Sequence, residues 1–175
     1  LVAHKLRRQC RLLAQARRRR ADQSRALSRG IDTLQALLPT LELAADLPTV
    51  RGLEGAGAAA HFQALAAVLP PSLGFVARRR RPPPDPVNAA LSLGYTLLHF
   101  EAARAAYAAG LDPYIGFLHG VSFGRESLAS DLIEPLRPAL DGWLWRLFAT
   151  RALRAEHFHT DAGRCLLGKA GRAVF

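Results

Sequence analysis

The chain has 175 residues, 24 Lys and Arg against 14 Asp and Glu, and a net charge of +10 carried almost entirely by arginine, a balance that recruits polyanions through counterion release. Half of its residues are hydrophobic, yet no uninterrupted apolar run approaches the roughly 20 residues that span a bilayer. Two isolated cysteines, Cys10 and Cys165, exclude a disulfide framework and a thiolate zinc site.

In chain order the pattern is helical. Val2 to about Arg29 reads as an Arg-rich helix with Leu6, Cys10 and Leu13 at helical spacing, and Gly30 as its stop. Ile31 to Ala45 is a second helical stretch that Pro39 kinks or divides. Thr49 is placed to cap a third helix, which runs through Glu54 to about Val68 before Pro70 and Pro71 end it. An Arg- and Pro-rich loop follows over about 69–86, with Arg78, Arg79, Arg80 and Arg81 consecutive. Asp85-Pro86 then signals the start of a long helix through Leu91, Tyr95, Leu98 and Ala102, closed by Gly110. Asp112-Pro113 repeats that signal for a short element ending at His119.

Ser127 is placed to cap the helix that carries Asp131 and Glu134, and Pro138 limits its straight continuation. A helix rich in Trp143, Trp145, Leu147 and Phe148 packs in the core, and the basic tail from Arg151 is assigned no element. No strand-like alternation with turn dipeptides is read, so the fold class is all-α, one multi-helix domain over residues 1–175. The sequence contains no Met, even at position 1, so a fragment of a longer chain is expected, its missing part at least N-terminal. The charged start LVAHKLRRQC is unlike a signal peptide, and a reducing cytoplasm is the expected compartment.

Acids embedded in Ala- and Leu-rich helices are costly unless a positive charge meets them. Asp131 and Glu134 are three apart, about 60° around a helix, and can share one ion. His119 ends the preceding element, and Glu54 comes from a separate helix whose Gly and Ala neighbours allow close approach. Carboxylates with one imidazole suit Mg²⁺ or Mn²⁺. On spacing alone, the same acids could instead be solvated or paired with Arg125 or Arg137, and His119 could cap its own turn. Tyr95, His61 and His99 read as packing or surface residues, and Arg17 to Arg20 as a solvated face.

Three motifs in order, LEGAGAAAHFQAL, RRRRPPPDPVNAALSLGYTLL and GLDPYIGFLHGVSFGRESLASDLIEPLRP, resemble those of the CRISPR-associated integrase of spacer acquisition, in its helical catalytic domain. The resemblance covers essentially the whole chain and leaves the N-terminal β-domain of that family without a counterpart. It implies a divalent metal held by Glu54, His119 and Glu134, with Asp131 the neighbouring acid, and leaves open which of the two acids is the third ligand. It also implies DNA contact by Arg78, Arg79, Arg80 and Arg81, and admits Asn88 and Arg125 as phosphate-facing or ligand-orienting groups.

Two departures stand out. Gly57 falls where the family has Ala, and Pro135 follows Glu134 where a second acid is common, so Pro135 is expected to bend the chain at the site. The implied activity is a metal-dependent DNA endonuclease and integrase, in which a DNA 3′-hydroxyl attacks a phosphodiester of the repeat. The implied partners are prespacer and repeat DNA, a second copy in a homodimer, and a small ferredoxin-like subunit. The competing expectation is a non-catalytic basic helical DNA-binding module whose acids make structural ion pairs.

Overall fold

The computed structural model describes all 175 residues, as seven helices and one two-stranded hairpin. Helix α1 (Val2–Arg19) buries Leu6, Leu13 and Ala16, and turns through a short 3₁₀ segment into α2 (Ser24–Glu42). The single long helix expected up to Gly30 therefore breaks at Arg20. Gly30 lies inside α2 because α3 packs there: a Cβ on it would stand 2.5 Å from that of Ala64. Pro39 falls within α2, which runs on to Glu42.

Helix α3 (Leu47–Ala66) is capped by Asp46, whose carboxylate accepts from the Thr49 amide, so Thr49 is the capped residue and not the cap. It crosses α1 at Gly57, where a Cβ would meet Leu6 Cδ2 at 2.4 Å, so the glycine that departs from the family pattern is what seats α3 on α1. The loop over 67–85 leads into α4 (Pro86–Ala108), capped by Asp85 as expected. Helix α5 (Ser127–Ile133) and helix α6 (Arg137–Ala149) both pack on α4.

The segment from Asp112 to His119 forms turns and no helix; Asp112 accepts from the Tyr114 amide in a local turn. Ser127 is the first residue of α5, and its hydroxyl donates to the Gly120 carbonyl instead of capping the helix. The tail that carried no assignment forms an antiparallel hairpin, β1 (Phe158–Asp161) and β2 (Arg164–Leu167), before α7 (Lys169–Val174). Ala162 and Gly163 both take positive φ in its two-residue turn, the geometry that tight hairpins require. The Cys165 amide donates to Pro83, which ties the hairpin to the arginine loop. The core joins Leu6, Leu13, Leu27, Leu34, Leu91, Leu144 and Phe148 from α1, α2, α4 and α6.

Candidate active site

The local sequence explains why Lys5 stands at the centre. Helix α1 has an apolar stripe of Val2, Leu6, Leu13 and Ala16, and Lys5 and Gln9 fall on the same side of the helix. An ammonium folded inward demands anions, and two carboxylates answer it. Lys5 Nζ donates to Glu54 Oε1 on α3 and, at 2.5 Å, to Glu134 Oε2 just past the end of α5. Glu134 follows the last residue of α5 and precedes Pro135, where the helix stops, as the proline predicts.

From that position Glu134 Oε1 also accepts from Arg137 Nε at 2.8 Å. Burial alone would raise the Glu134 pKa, but the charges of Lys5 and Arg137 outweigh it and hold the carboxyl below its ordinary value.

The cluster continues inward. The Arg137 guanidinium lies 4.3 Å from the Tyr95 ring centroid. The Tyr95 hydroxyl donates to Asp141 Oδ1, and His61 Nε2 meets Asp141 Oδ2 at 3.1 Å. Tyr95 and His61 are buried, as expected of packing residues, yet both are also polar members of this network. A cavity of about 650 Å³ opens beside the acids, bounded by Lys5, Glu54, Arg78, Arg80, Arg137 and Asp141. Its lining includes no Ser, Thr or Cys.

Asp131 is wholly buried and fully engaged. Its Oδ2 accepts from the amides of Phe117 (2.7 Å) and Leu118 (2.9 Å). Its Oδ1 accepts from the His119 amide (3.0 Å) and from His119 Nδ1 (2.6 Å). With a carboxylate as its partner, Nδ1 is the ring nitrogen suited to donate, and Nε2 is the one turned away from Asp131, the orientation usual for a metal-bound histidine. Asp131 therefore faces the histidine loop, and Glu134 faces Glu54. Arg125 is exposed and does not pair with Asp131, which corrects one of the two readings of that arginine.

The histidine loop is held against α3 by Arg51, whose Nε donates to the Leu118 carbonyl at 2.8 Å, one turn before Glu54. Gly116 is needed there, since a Cβ would stand 2.7 Å from both the His119 oxygen and the Ser127 carbonyl carbon. The three sequence-expected acids and the histidine thus fall into two neighbouring groups: Glu54 with Glu134 around Lys5, and Asp131 with His119. As the side chains stand, no three of the His, Cys, Asp and Glu groups are arranged around a common metal position.

The arginine loop divides by burial. Asn88 is fully buried: it accepts from Arg78 Nη1 and the Arg79 amide and donates to Ala77 O and Asp85. It is a fastener of the loop, not a phosphate contact, which corrects its placement among DNA-facing residues. Arg78 is half-buried, bonded to Asn88 and Ser92, and 5.6 Å from the Tyr95 centroid. Arg79, Arg80 and Arg81 are exposed, and Arg80 and Arg81 line a second, shallower basic hollow with Arg137 and His99.

Lys5, Gln9, Arg51, Arg137 and Asp141 were not among the sequence-expected site residues. The available signal was Lys5 and Gln9 on the apolar side of α1, since buried polar groups require partners.

The chain is a predominantly helical domain in which two acids from separate elements meet on one ammonium beside an arginine-lined cavity. The family model for CRISPR associated protein Cas1 matches residues 1–175, and the chain belongs to that family. It is 43% identical over 150 residues to the CRISPR-associated endonuclease Cas1 1 of Thermodesulfovibrio yellowstonii, covering 84% of this chain and 47% of that one. It is 44% identical over 135 residues to the CRISPR-associated endonuclease Cas1 3 of Thermus thermophilus, covering 77% and 41% respectively. The chain thus spans less than half the length of these curated relatives.

Among solved structures, a CAS1 protein from Thermotoga maritima superposes with a TM-score of 0.84 at 25% identity, covering 99% of this chain and 53% of that one. A chain of a partial Cas6-RT-Cas1–Cas2 complex gives 0.86 at 28% identity, covering 98% and 52%. A casposase bound to integration product shares the fold, with a TM-score of 0.77 at 23% identity over 99% of this chain and 50% of that one. No helix of the chain is long and apolar enough to cross a membrane.

Proposed function

We propose that this chain is the catalytic domain of a divalent-metal-dependent DNA endonuclease and integrase that inserts new spacers into CRISPR arrays. The observation that carries the reading is the meeting of Glu54 and Glu134, from separate elements, on one cation position occupied by the Lys5 ammonium. Two carboxylates already gathered on a cation, with an imidazole on a loop fastened to the same helix, form the donor set of a hard divalent ion. Glu54, Glu134 and His119 Nε2 would hold Mg²⁺ or Mn²⁺, and Asp131 would fix the imidazole through Nδ1. When bound, such an ion polarises the scissile phosphate and stabilises charge on the attacking and leaving oxygens.

The rest of the chemistry belongs to the side chains. Lys5 would yield the space between the acids to such an ion. Arg79, Arg80 and Arg81 hold the DNA backbone, while Asn88 and Arg78 keep the loop in place. The DNA supplies its own nucleophile: as a 3′-hydroxyl oxygen bonds to phosphorus, the bond to the leaving oxygen breaks. Among hydroxyl and thiol side chains only Tyr95 reaches the cavity, and its hydroxyl is engaged by Asp141. The partners in this reading are prespacer and repeat DNA, a second copy of the full-length protein, and the small ferredoxin-like Cas2 subunit; the likeness to a chain of a Cas6-RT-Cas1–Cas2 complex supports a Cas2 partner.

A second reading rests on the same contact: Lys5 is a permanent counter-ion, and the chain is a non-catalytic DNA-binding module. Mn²⁺ titration followed by calorimetry separates the two, alongside DNA cleavage and DNA binding. Under the catalytic reading, Glu54→Ala abolishes Mn²⁺ binding and cleavage and leaves DNA binding intact or stronger. Replacing Arg79, Arg80 and Arg81 with Ser weakens DNA binding and flattens its salt dependence. A parent chain that takes up no Mn²⁺ at millimolar concentration would decide for the second reading.

A further inference from the structure

A second basic surface lies on another face of the helices that build the site. Arg8, Arg11 and Arg18 of α1 and Arg146 of α6 line one open groove of about 580 Å³. The three α1 residues fall at spacings that keep them in one row, about 15 Å long from Arg8 to Arg18. That row is about a third of a turn around α1 from Lys5 and Gln9, which face the acidic cluster.

The groove is open because its floor is small. Pro138, Ala139 and Gly142 of α6 meet Leu12 of α1, and a Cβ on Gly142 would stand 2.9 Å from Leu12 Cδ1.

The charge of this groove is unanswered within the chain. None of its four guanidiniums has an ion-pair or hydrogen-bond partner, although Arg7, Arg17 and Arg20 elsewhere on α1 or at its end do. Helix α1 contains no acid, and the one acid of α6, Asp141, is turned inward to Tyr95 and His61. No acidic residue lines the groove. Four like charges held together unpaired repel one another, and an anionic ligand relieves that cost.

The lining also narrows the ligand. Arginine presents forked donors that match phosphate oxygens, and a row of them fits a repeating phosphate backbone. Single-stranded nucleic acid is held by stacking on aromatic side chains, and this groove has none. Only Gln15 among its polar side chains lacks charge, so there is little to read a base edge.

We propose that the α1–α6 groove is a second nucleic-acid site, which binds the phosphate backbone of duplex DNA without reading sequence and acts independently of the acidic cluster. The proposal rests on the DNA-binding reading given above, and the test separates their failures. A fluorescein-labelled random-sequence duplex is titrated at several salt concentrations against the parent and two quadruple variants. In one, Arg8, Arg11, Arg18 and Arg146 become Gln; in the other, all four become Lys.

Each lost phosphate contact removes about 0.9 from the slope of log K against log salt, so the Gln variant should lose about 2 to 4. The Lys variant should keep most of the slope. Circular-dichroism melts confirm that both variants fold, and Mn²⁺ uptake at the acidic cluster should not change in either. A parent that binds duplex while the folded Gln variant keeps the same affinity and slope would overturn the proposal. A parent that binds no duplex at all would overturn the DNA reading itself.

Discussion

Lys5→Met removes the ammonium from between Glu54 and Glu134 and keeps an unbranched stem of similar length. Removing one partner from a buried ion pair costs about 3–5 kcal/mol. Two features reduce that figure here. Glu54 keeps 25% of its side chain exposed, and Glu134 retains Arg137, so about 2–3 kcal/mol is expected. For a domain of this size each kcal/mol shifts the melting temperature by about 2–4 °C, giving a fall of about 4–12 °C without metal.

The same free energy should reappear as metal affinity. If Mn²⁺ must expel the ammonium in the parent but not in the variant, Lys5→Met binds Mn²⁺ about 30- to 140-fold more tightly. Differential scanning calorimetry gives the first quantity and isothermal titration calorimetry the second. Equal Mn²⁺ affinity in the two proteins would refute the competition, and an unchanged melting temperature without metal would refute the counter-ion role.

Asp131→Asn should cost about 2–4 kcal/mol in a guanidinium unfolding titration, because one carboxylate oxygen that accepts two donors becomes a donor itself. The variant's His119 should also lose its fixed Nδ1–H tautomer, visible in imidazole ¹⁵N shifts. Gly116→Ala drives a Cβ into two backbone groups, so a loss of about 1–3 kcal/mol and weakened Mn²⁺ binding are expected, measured by thermal melts with and without the ion. Tyr95 has a pKa well above its ordinary value of 10.0, through burial first and the charge of Asp141 second. A raised folded-state value gives stability that is complete below about pH 10 and lost as pH climbs past it. Tyr95→Phe should therefore be about 1–2 kcal/mol less stable at neutral pH, with the gap to the parent closing in melts above about pH 10.

Helix periodicity and the Asp85-Pro86 signal were legible because they are local: α4 begins where the cap and the proline place it. Gly30 misled because its role is tertiary. Nothing in the sequence around it announces that Ala64 approaches from α3, and the glycine reads as a stop until that neighbour is known. The hairpin was missed for the opposite reason. Cys165 and Leu167 do alternate inward, but four-residue strands joined by Ala-Gly are too short and too weakly marked to stand out.

At the site, the acids were readable as charges that needed answering, and their answer was not. Lys5 lies 49 residues from Glu54 and 129 from Glu134, and only folding brings it between them. Asp131 and Glu134 share a helical face by spacing, yet they serve opposite neighbours because α5 ends between them and Pro135 turns the chain.

The carboxylate of Asp131 also sets where this protein can vary. Three consecutive amides and an imidazole are fixed from beneath by one buried side chain, so the shape of that loop segment depends little on its outward residues. Beyond it, Val121, Phe123 and Arg125 project into solvent with no part in the mount. Selection acting on what those tips touch can rewrite them freely without moving the histidine.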